Sequence, residues 1–180
     1  MDNLIAVIPA AGAGKRLGLG INKAFAKINS VPLLVHCLTM LSRTKLITRA
    51  IVVLAPDEVE EGRELLASYQ GAHFADLPFV VVAGGKERQD SVNNALAAIT
   101  ESEGYVAVHD GARPFAGKEV FERTLLAAKE HGAAIAAVPV KDTIKVVNGD
   151  GEVTATPNRS TLYAVQTPQI FEVNLLKRAY

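Results

Sequence analysis

The residues best suited to chemistry follow apolar runs. Leu4–Ile8 leads into Pro9-Ala10-Ala11-Gly12-Ala13-Gly14-Lys15-Arg16-Leu17-Gly18, and Lys23 comes five residues later. Alanine and glycine let a backbone approach a ligand closely, and successive N–H groups can line a concavity for phosphate. Arg16 and Lys23 are placed to neutralise a triphosphate and its transition state. Two common phosphate loops are excluded. A Walker loop needs G-x-x-x-x-G-K-[ST]; here Pro9 stands five residues before Gly14, and Arg16 replaces the hydroxyl residue. A dinucleotide loop needs a third glycine and an acid roughly twenty residues on; here Leu17 takes the glycine position and no acid lies between the loop and Asp57. Taken alone, the loop is also compatible with a tight strand-to-helix turn.

Three later segments have the same placement. In AGGKERQDSVNNAL (83–96), Gly84-Gly85 permits close approach to a base edge, and Ser91 adds a hydroxyl near a helix start. Asp90 reads as part of the helix cap. In VHDGARPF (108–115), Asp110 suits Mg²⁺, which usually takes one or two carboxylates plus substrate phosphates. Arg113 can hold a phosphate in fork geometry or pair with Asp110, and the two roles are compatible. His109 points away from Asp110 and reads as structural. His36, His73 and His131 lack partners at metal-ligand spacing. Thr143 and Arg159 flank a hairpin signal, Asn148-Gly149-Asp150-Gly151, which brings them together. They can grip a phosphate, or Arg159 can simply face solvent.

The elements that must position these residues alternate between strand and helix. Strands are expected at 4–8, 47–55, 79–84, 105–110 and 133–140. Helices are expected at 30–43, with Ser30 as N-cap, and at 57–69, 88–99 and 117–132. This predicts a three-layer α/β fold around a mostly parallel sheet, with ligands beyond the carboxyl ends of the strands. Residues of about 141–166 read as a β-arm projecting from it. An isolated hairpin is marginal in water, so a second subunit is the expected cover. The final EVNLLKRAY reads as a helix.

Composition narrows the class. The chain has 180 residues, 49% of them hydrophobic, which is enough for one domain with a core. No apolar run nears the ~20 residues of a membrane span, and no basic region precedes the first apolar stretch. Cys37 cannot form an internal disulfide because it is the single cysteine, so a cytoplasmic location is the default. Net charge is zero, yet residues 3–56 hold seven basic side chains and no acid. A one-sign segment beside a glycine loop suits a polyanion. For Arg43, Lys45 and Arg49, ordinary pairing with acids elsewhere is the preferred reading. Neutral overall charge, without interleaved aromatics, disfavours nucleic acid.

Five segments in order, PAAGAGKRLG, GGKERQDSV, VHDGARPF, PVKDTIK and NRSTLYAVQTPQIF, together resemble the 2-C-methyl-D-erythritol 4-phosphate cytidylyltransferase family. The resemblance implies a Rossmann-like nucleotidyltransferase fold and a homodimer with interlocked arms. The implied reaction joins CTP and a sugar-alcohol phosphate with Mg²⁺, giving a CDP-alcohol and pyrophosphate. By motif, Ala10, Ala11, Gly12 and Gly14 would cradle CTP, and Gly85, Lys86 and Ser91 would contact the cytidine. Arg16 and Lys23 would stabilise the transition state at the α-phosphorus. Asp110 and Arg113 would serve metal and substrate phosphate, while Thr143 and Arg159 would reach in from the partner subunit's arm. The related ribitol-5-phosphate enzymes tend to carry L-A-G-G and H-D-S-V-R-P, unlike Pro9–Gly12 and His109–Pro114 here. A nucleotide-binding module without turnover is the alternative from another class. Three departures from the family pattern stand out. Asn22-Lys23-Ala24 replaces the usual P-K-Q, which predicts a looser loop around the lysine; Gly111 replaces an alanine; and the family continues for several dozen residues, with a further lysine, beyond position 180.

Overall fold

Strand β1 (Leu4–Pro9) lies between two parallel neighbours, β4 (Ile47–Leu54) and β6 (Tyr105–Val108). Burial on both faces is why its sequence is an unbroken apolar run. Successive side chains point to opposite faces. Leu4, Ala6 and Ile8 join one core cluster with Leu38 of α1 (Leu33–Thr44), Leu66 of α2 (Val59–His73) and Phe121 of α4 (Lys118–His131). Ile5 and Val7 join the other, with Val92 of α3 (Arg88–Ala97) and Leu176 of α5 (Val173–Ala179). The result is the expected three-layer sandwich. It comes from a computed structural model that describes residues 3–12 and 22–180. No helix among the described residues is long and apolar enough to cross a membrane.

The main sheet runs β5-β4-β1-β6-β10-β7, where β5 is Phe79–Ala83, β7 is Ala133–Pro139 and β10 is Tyr163–Glu172. Strand β10 is antiparallel to both neighbours, and the other pairings are parallel. From β1 the sheet extends to β4 and β5 on one side and to β6 on the other. This reversal opens a crevice beyond the carboxyl ends of β1 and β6.

Two expectations need correction. Helix α1 does not start from a Ser30 cap. Asn29 and Ser30 have φ of 50° and 66°, and they form the turn between two short strands, β2 (Lys27–Ile28) and β3 (Val31–Pro32). Pro32 then stands at the N-cap of α1. The arm also ends earlier than position 166. Its hairpin pairs β8 (Val146–Val147) with β9 (Val153–Ala155), but Tyr163–Val165 already pair with Ala137–Pro139 of β7. Residues 163–166 therefore belong to the sheet. The hairpin turn is held by Asn148, whose Oδ1 accepts the N–H groups of Asp150 and Glu152 at 3.1 and 2.9 Å.

Cys37 is fully buried in the core, and burial, helped by the charge of Asp110, pushes its thiol up to about 12. Of the basic residues assigned to ordinary pairing, Lys45 and Arg49 are paired. Lys45 meets Asp76 at 2.8 Å and Arg49 meets Glu101 at 2.7 Å, each hydrogen bond holding its carboxyl below the usual range.

The register of β1 against β6 is set at Gly104. Its φ is +105°, and an added Cβ would lie 2.5 Å from the carbonyl oxygen of Asn3, which accepts the N–H of Tyr105 at 2.8 Å. Gly104→Ala is therefore expected to lower the unfolding free energy by about 1–3 kcal/mol in a urea titration. Unchanged stability would contradict this assignment.

Candidate active site

Three post-strand loops converge at the crevice. Ala10 continues β1, donating its N–H to the Val53 carbonyl at 2.8 Å, and it is buried. Ala11 is half-buried, and Gly12 is exposed, with no atom of the described residues within 4 Å of where a Cβ would stand. Gly14 and Arg16 lie outside the described residues. The loop after β5 meets Ala11 at Gly84. A Cβ there would stand 3.0 Å from the Ala11 Cβ and 2.8 Å from Ser91 Oγ, so glycine permits the approach. The loop after β6 meets Ala10 at Gly111, where a Cβ would be 3.1 Å from the Ala10 Cβ.

Each loop has its own local support. Ser91 is buried, and its hydroxyl accepts the Gly85 N–H at 3.2 Å. It thus shapes the Gly84-Gly85 turn from below, while Lys86 is exposed. Asp90 is structural, as expected: Glu87 is the N-cap of α3, and the Asp90 carboxylate accepts the Glu87 N–H at 3.0 Å in a reciprocal capping box. Lys23 is exposed and opens a 3-10 turn, Lys23–Phe25. Asn22 before it is buried, and its Oδ1 accepts the Ala24 N–H at 3.0 Å.

Asp110 is the electrostatic centre. Its Oδ2 accepts from Arg113 Nε at 2.9 Å, which is the expected pair, and its Oδ1 meets Arg88 Nη1 at 2.9 Å. Arg113 also donates to the side-chain carbonyl of Gln166. Sequence reasoning missed Arg88, although it lies inside GGKERQDSV. Its partner is in another loop, and no local pattern signals the contact.

Beneath Asp110 lies a second network. His109 is fully buried and tilts against Phe121, with ring centroids 5.2 Å apart. Its Nε2 lies 2.9 Å from the Arg113 carbonyl, which can only accept, so Nε2 carries the proton. Its Nδ1 lies 3.0 Å from Thr167 Oγ1 and therefore accepts that hydroxyl's hydrogen. The same Oγ1 accepts the Asp110 N–H at 3.4 Å. Burial pushes His109 below the usual imidazole value, which favours this neutral form. His109 is thus structural, as expected, and it fixes the backbone on both sides of the Asp110–Arg113 turn.

Thr143 and Arg159 lie on the exposed arm, not on the loops that meet at the crevice. Arg159 Nη1 donates to the Lys141 carbonyl at 2.9 Å, so it closes the arm's base against the segment that carries Thr143. An open groove of ≈ 790 Å³ beside Arg113 runs between α4 and β7. Gln166 and Thr167 line one end, and Phe115, Ile135 and Val138 contribute exposed apolar surface.

Among the described residues no cluster of three or more His, Cys, Asp or Glu can hold a metal. A caged ion is therefore not what this part of the chain offers. A single hard carboxylate beside a phosphate loop does fit Mg²⁺ that arrives with a nucleotide and keeps phosphate and water ligands.

The family model described as IspD, 2-C-methyl-D-erythritol 4-phosphate cytidylyltransferase, matches residues 4–180. The enzyme of that name from Bacillus thuringiensis is 47% identical over 174 residues, covering 97% of this chain and 74% of the relative. Its namesake from Bacillus licheniformis is 46% identical over 178 residues, covering 99% and 74%. The crystal structure of 4-diphosphocytidyl-2C-methyl-D-erythritol synthase from Anaerococcus prevotii superposes with a TM-score of 0.80 at 32% identity, covering 98% of this chain and 73% of that one.

The Thr167 hydroxyl joins both halves of the buried network. Thr167→Val leaves His109 Nδ1 and the Asp110 N–H without a partner. It is expected to cost about 1–3 kcal/mol in denaturant unfolding, whereas Thr167→Ser keeps the hydroxyl and most of the stability. Equal stability of the two variants would contradict this role.

Proposed function

The chain belongs to the 2-C-methyl-D-erythritol 4-phosphate cytidylyltransferase family, and from that premise we propose how its own residues carry out cytidylyl transfer. CTP and 2-C-methyl-D-erythritol 4-phosphate are the substrates, CDP-methylerythritol and pyrophosphate the products, and isoprenoid precursor biosynthesis the context. The observation that carries the reading is the convergence of the Ala10–Gly12, Gly84–Lys86 and Asp110–Arg113 loops at the reversal of the sheet. A triphosphate lies along the first loop, a pyrimidine edge meets the second, and the acceptor phosphate approaches the third.

An oxygen of the acceptor phosphate attacks the α-phosphorus of CTP. The new P–O bond forms as the bond to the β-phosphate oxygen breaks, and pyrophosphate leaves with that electron pair. The protein's share is positioning and charge. Arg16 and Lys23 meet the charge that grows on the α-phosphoryl oxygens. Arg113 holds the acceptor phosphate. Asp110 is the residue that would hold Mg²⁺, and the ion would supply positive charge to offset that of the phosphates.

The reading includes a homodimer in the cytoplasm. Val146, Val147 and Val153 of the arm are 45%, 55% and 58% exposed, and such a hairpin gains little stability alone. A second copy would cover them and bring Thr143 and Arg159 to the partner's acceptor phosphate.

Pyrophosphate release from CTP and Mg²⁺ is expected with methylerythritol phosphate and not with ribitol 5-phosphate. Release only with ribitol phosphate would assign the relative's activity, and CTP binding without release from any acceptor would leave a binding module. Lys23→Ala and Arg16→Ala should each lower kcat by roughly 10²–10³-fold; wild-type turnover in both would contradict their roles. Mixing Lys23→Ala with Arg159→Ala subunits should restore turnover that neither has alone, because each hybrid dimer keeps one intact site. No recovery on mixing would place Arg159 outside the partner's site.

A further inference from the structure

Lys23 has no long element to hold it. Its turn is three residues long and its side chain is exposed. The anchor is the residue before it. Asn22 is 6% exposed, and its carboxamide makes three hydrogen bonds. Nδ2 donates to the Ala10 carbonyl at 2.7 Å and to Glu58 Oε2 at 2.7 Å, while Oδ1 accepts the Ala24 N–H at 3.0 Å. Ala10 is the first residue after β1, in the nucleotide loop. Glu58 ends the 3-10 turn Pro56–Glu58 that follows β4. One side chain therefore joins the lysine turn to two post-strand segments. Ala24 and Phe25 pack below it on the core, so the turn is seated from both sides.

The chemistry of this position selects asparagine. It needs two donors and one acceptor in one planar group. Aspartate lacks the donors and would face the Glu58 carboxylate, and leucine lacks all three.

We propose that Asn22 is a positioning residue for cytidylyl transfer, which sets the Lys23 backbone against the nucleotide loop through the Ala10 carbonyl. The inference rests on the role given to Lys23 under the proposed function. A lysine ammonium is a compact charge on a flexible four-carbon stem. Fixing the stem's origin is what makes its reach useful, because a misplacement of ~1 Å can cost roughly 10²-fold in rate.

The test is a kinetic cycle of Asn22→Ala, Lys23→Ala and the double variant, with CTP, Mg²⁺ and methylerythritol phosphate. Asn22→Ala is expected to lower kcat by roughly 10–10²-fold while KM for CTP stays within about threefold. In the Lys23→Ala background it should lower kcat no further, because Asn22 acts through the lysine. A kcat within about twofold of wild type, or losses that multiply in the double variant, would overturn the proposal. If Asn22→Ala does not fold, Glu58→Ala removes one of the three bonds at a half-buried position. It should give a smaller loss with the same dependence on Lys23, and a multiplying loss overturns the proposal equally. If wild-type protein releases no pyrophosphate with any acceptor, the functional reading fails and Asn22 is judged by acylation of Lys23 with acetic anhydride, read by mass spectrometry. CTP should shield Lys23 in wild type and not in Asn22→Ala or Glu58→Ala. Equal shielding, whether present or absent in all, would overturn it.

Discussion

Asp110 carries one negative charge between two guanidinium groups, and the crevice is organised around that arrangement. Arg88 takes one carboxylate oxygen and Arg113 the other, each at 2.9 Å. Arg88 begins α3, directly after the glycine turn that follows β5, and Arg113 stands in the loop after β6. The carboxylate therefore links two of the three converging loops. Both arginines are about half exposed, so the pairs add little to stability. Their value is geometric, because they fix where positive charge stands before a triphosphate arrives. Phosphate oxygens and a metal ion would then compete for the groups that Asp110 and its arginines now share.

The scaffold beneath makes that charge placement precise in backbone terms. His109 is clamped between the Arg113 carbonyl and the Thr167 hydroxyl, so β6, its loop and β10 are joined at one buried ring. Gly84 and Gly111 allow backbone-level approach to Ala11 and Ala10. Asn22 ties the lysine turn to the same Ala10 carbonyl region. The site is thus assembled from short loops whose ends are fixed by a sheet buried on both faces.

Much of this was legible in the sequence, for a physical reason. Strands buried on both faces read as continuous apolar runs, so β1, β4 and β6 were found, and with them Ala10 and Asp110. What escaped depends on partners distant in the chain. Arg88 pairs with Asp110 from another loop, Thr167 reaches His109 across 58 residues, and Asn22 reaches Glu58 across 36. No local pattern encodes such meetings. Local misreadings had local causes. Ser30 resembles a helix cap but takes a positive φ in a strand turn, and Tyr163–Val165 resemble arm residues but complete the edge pairing with β7.

The central claim is that Asp110 is the point at which a metal–nucleotide complex engages the protein. Mn²⁺ in place of Mg²⁺, titrated with CTP and followed by electron paramagnetic resonance, tests it directly. Wild-type protein should bind Mn²⁺–CTP as a ternary complex, and Asp110→Asn should weaken that binding by at least about tenfold while the fold is retained. Equal ternary affinity in the two proteins would contradict the account.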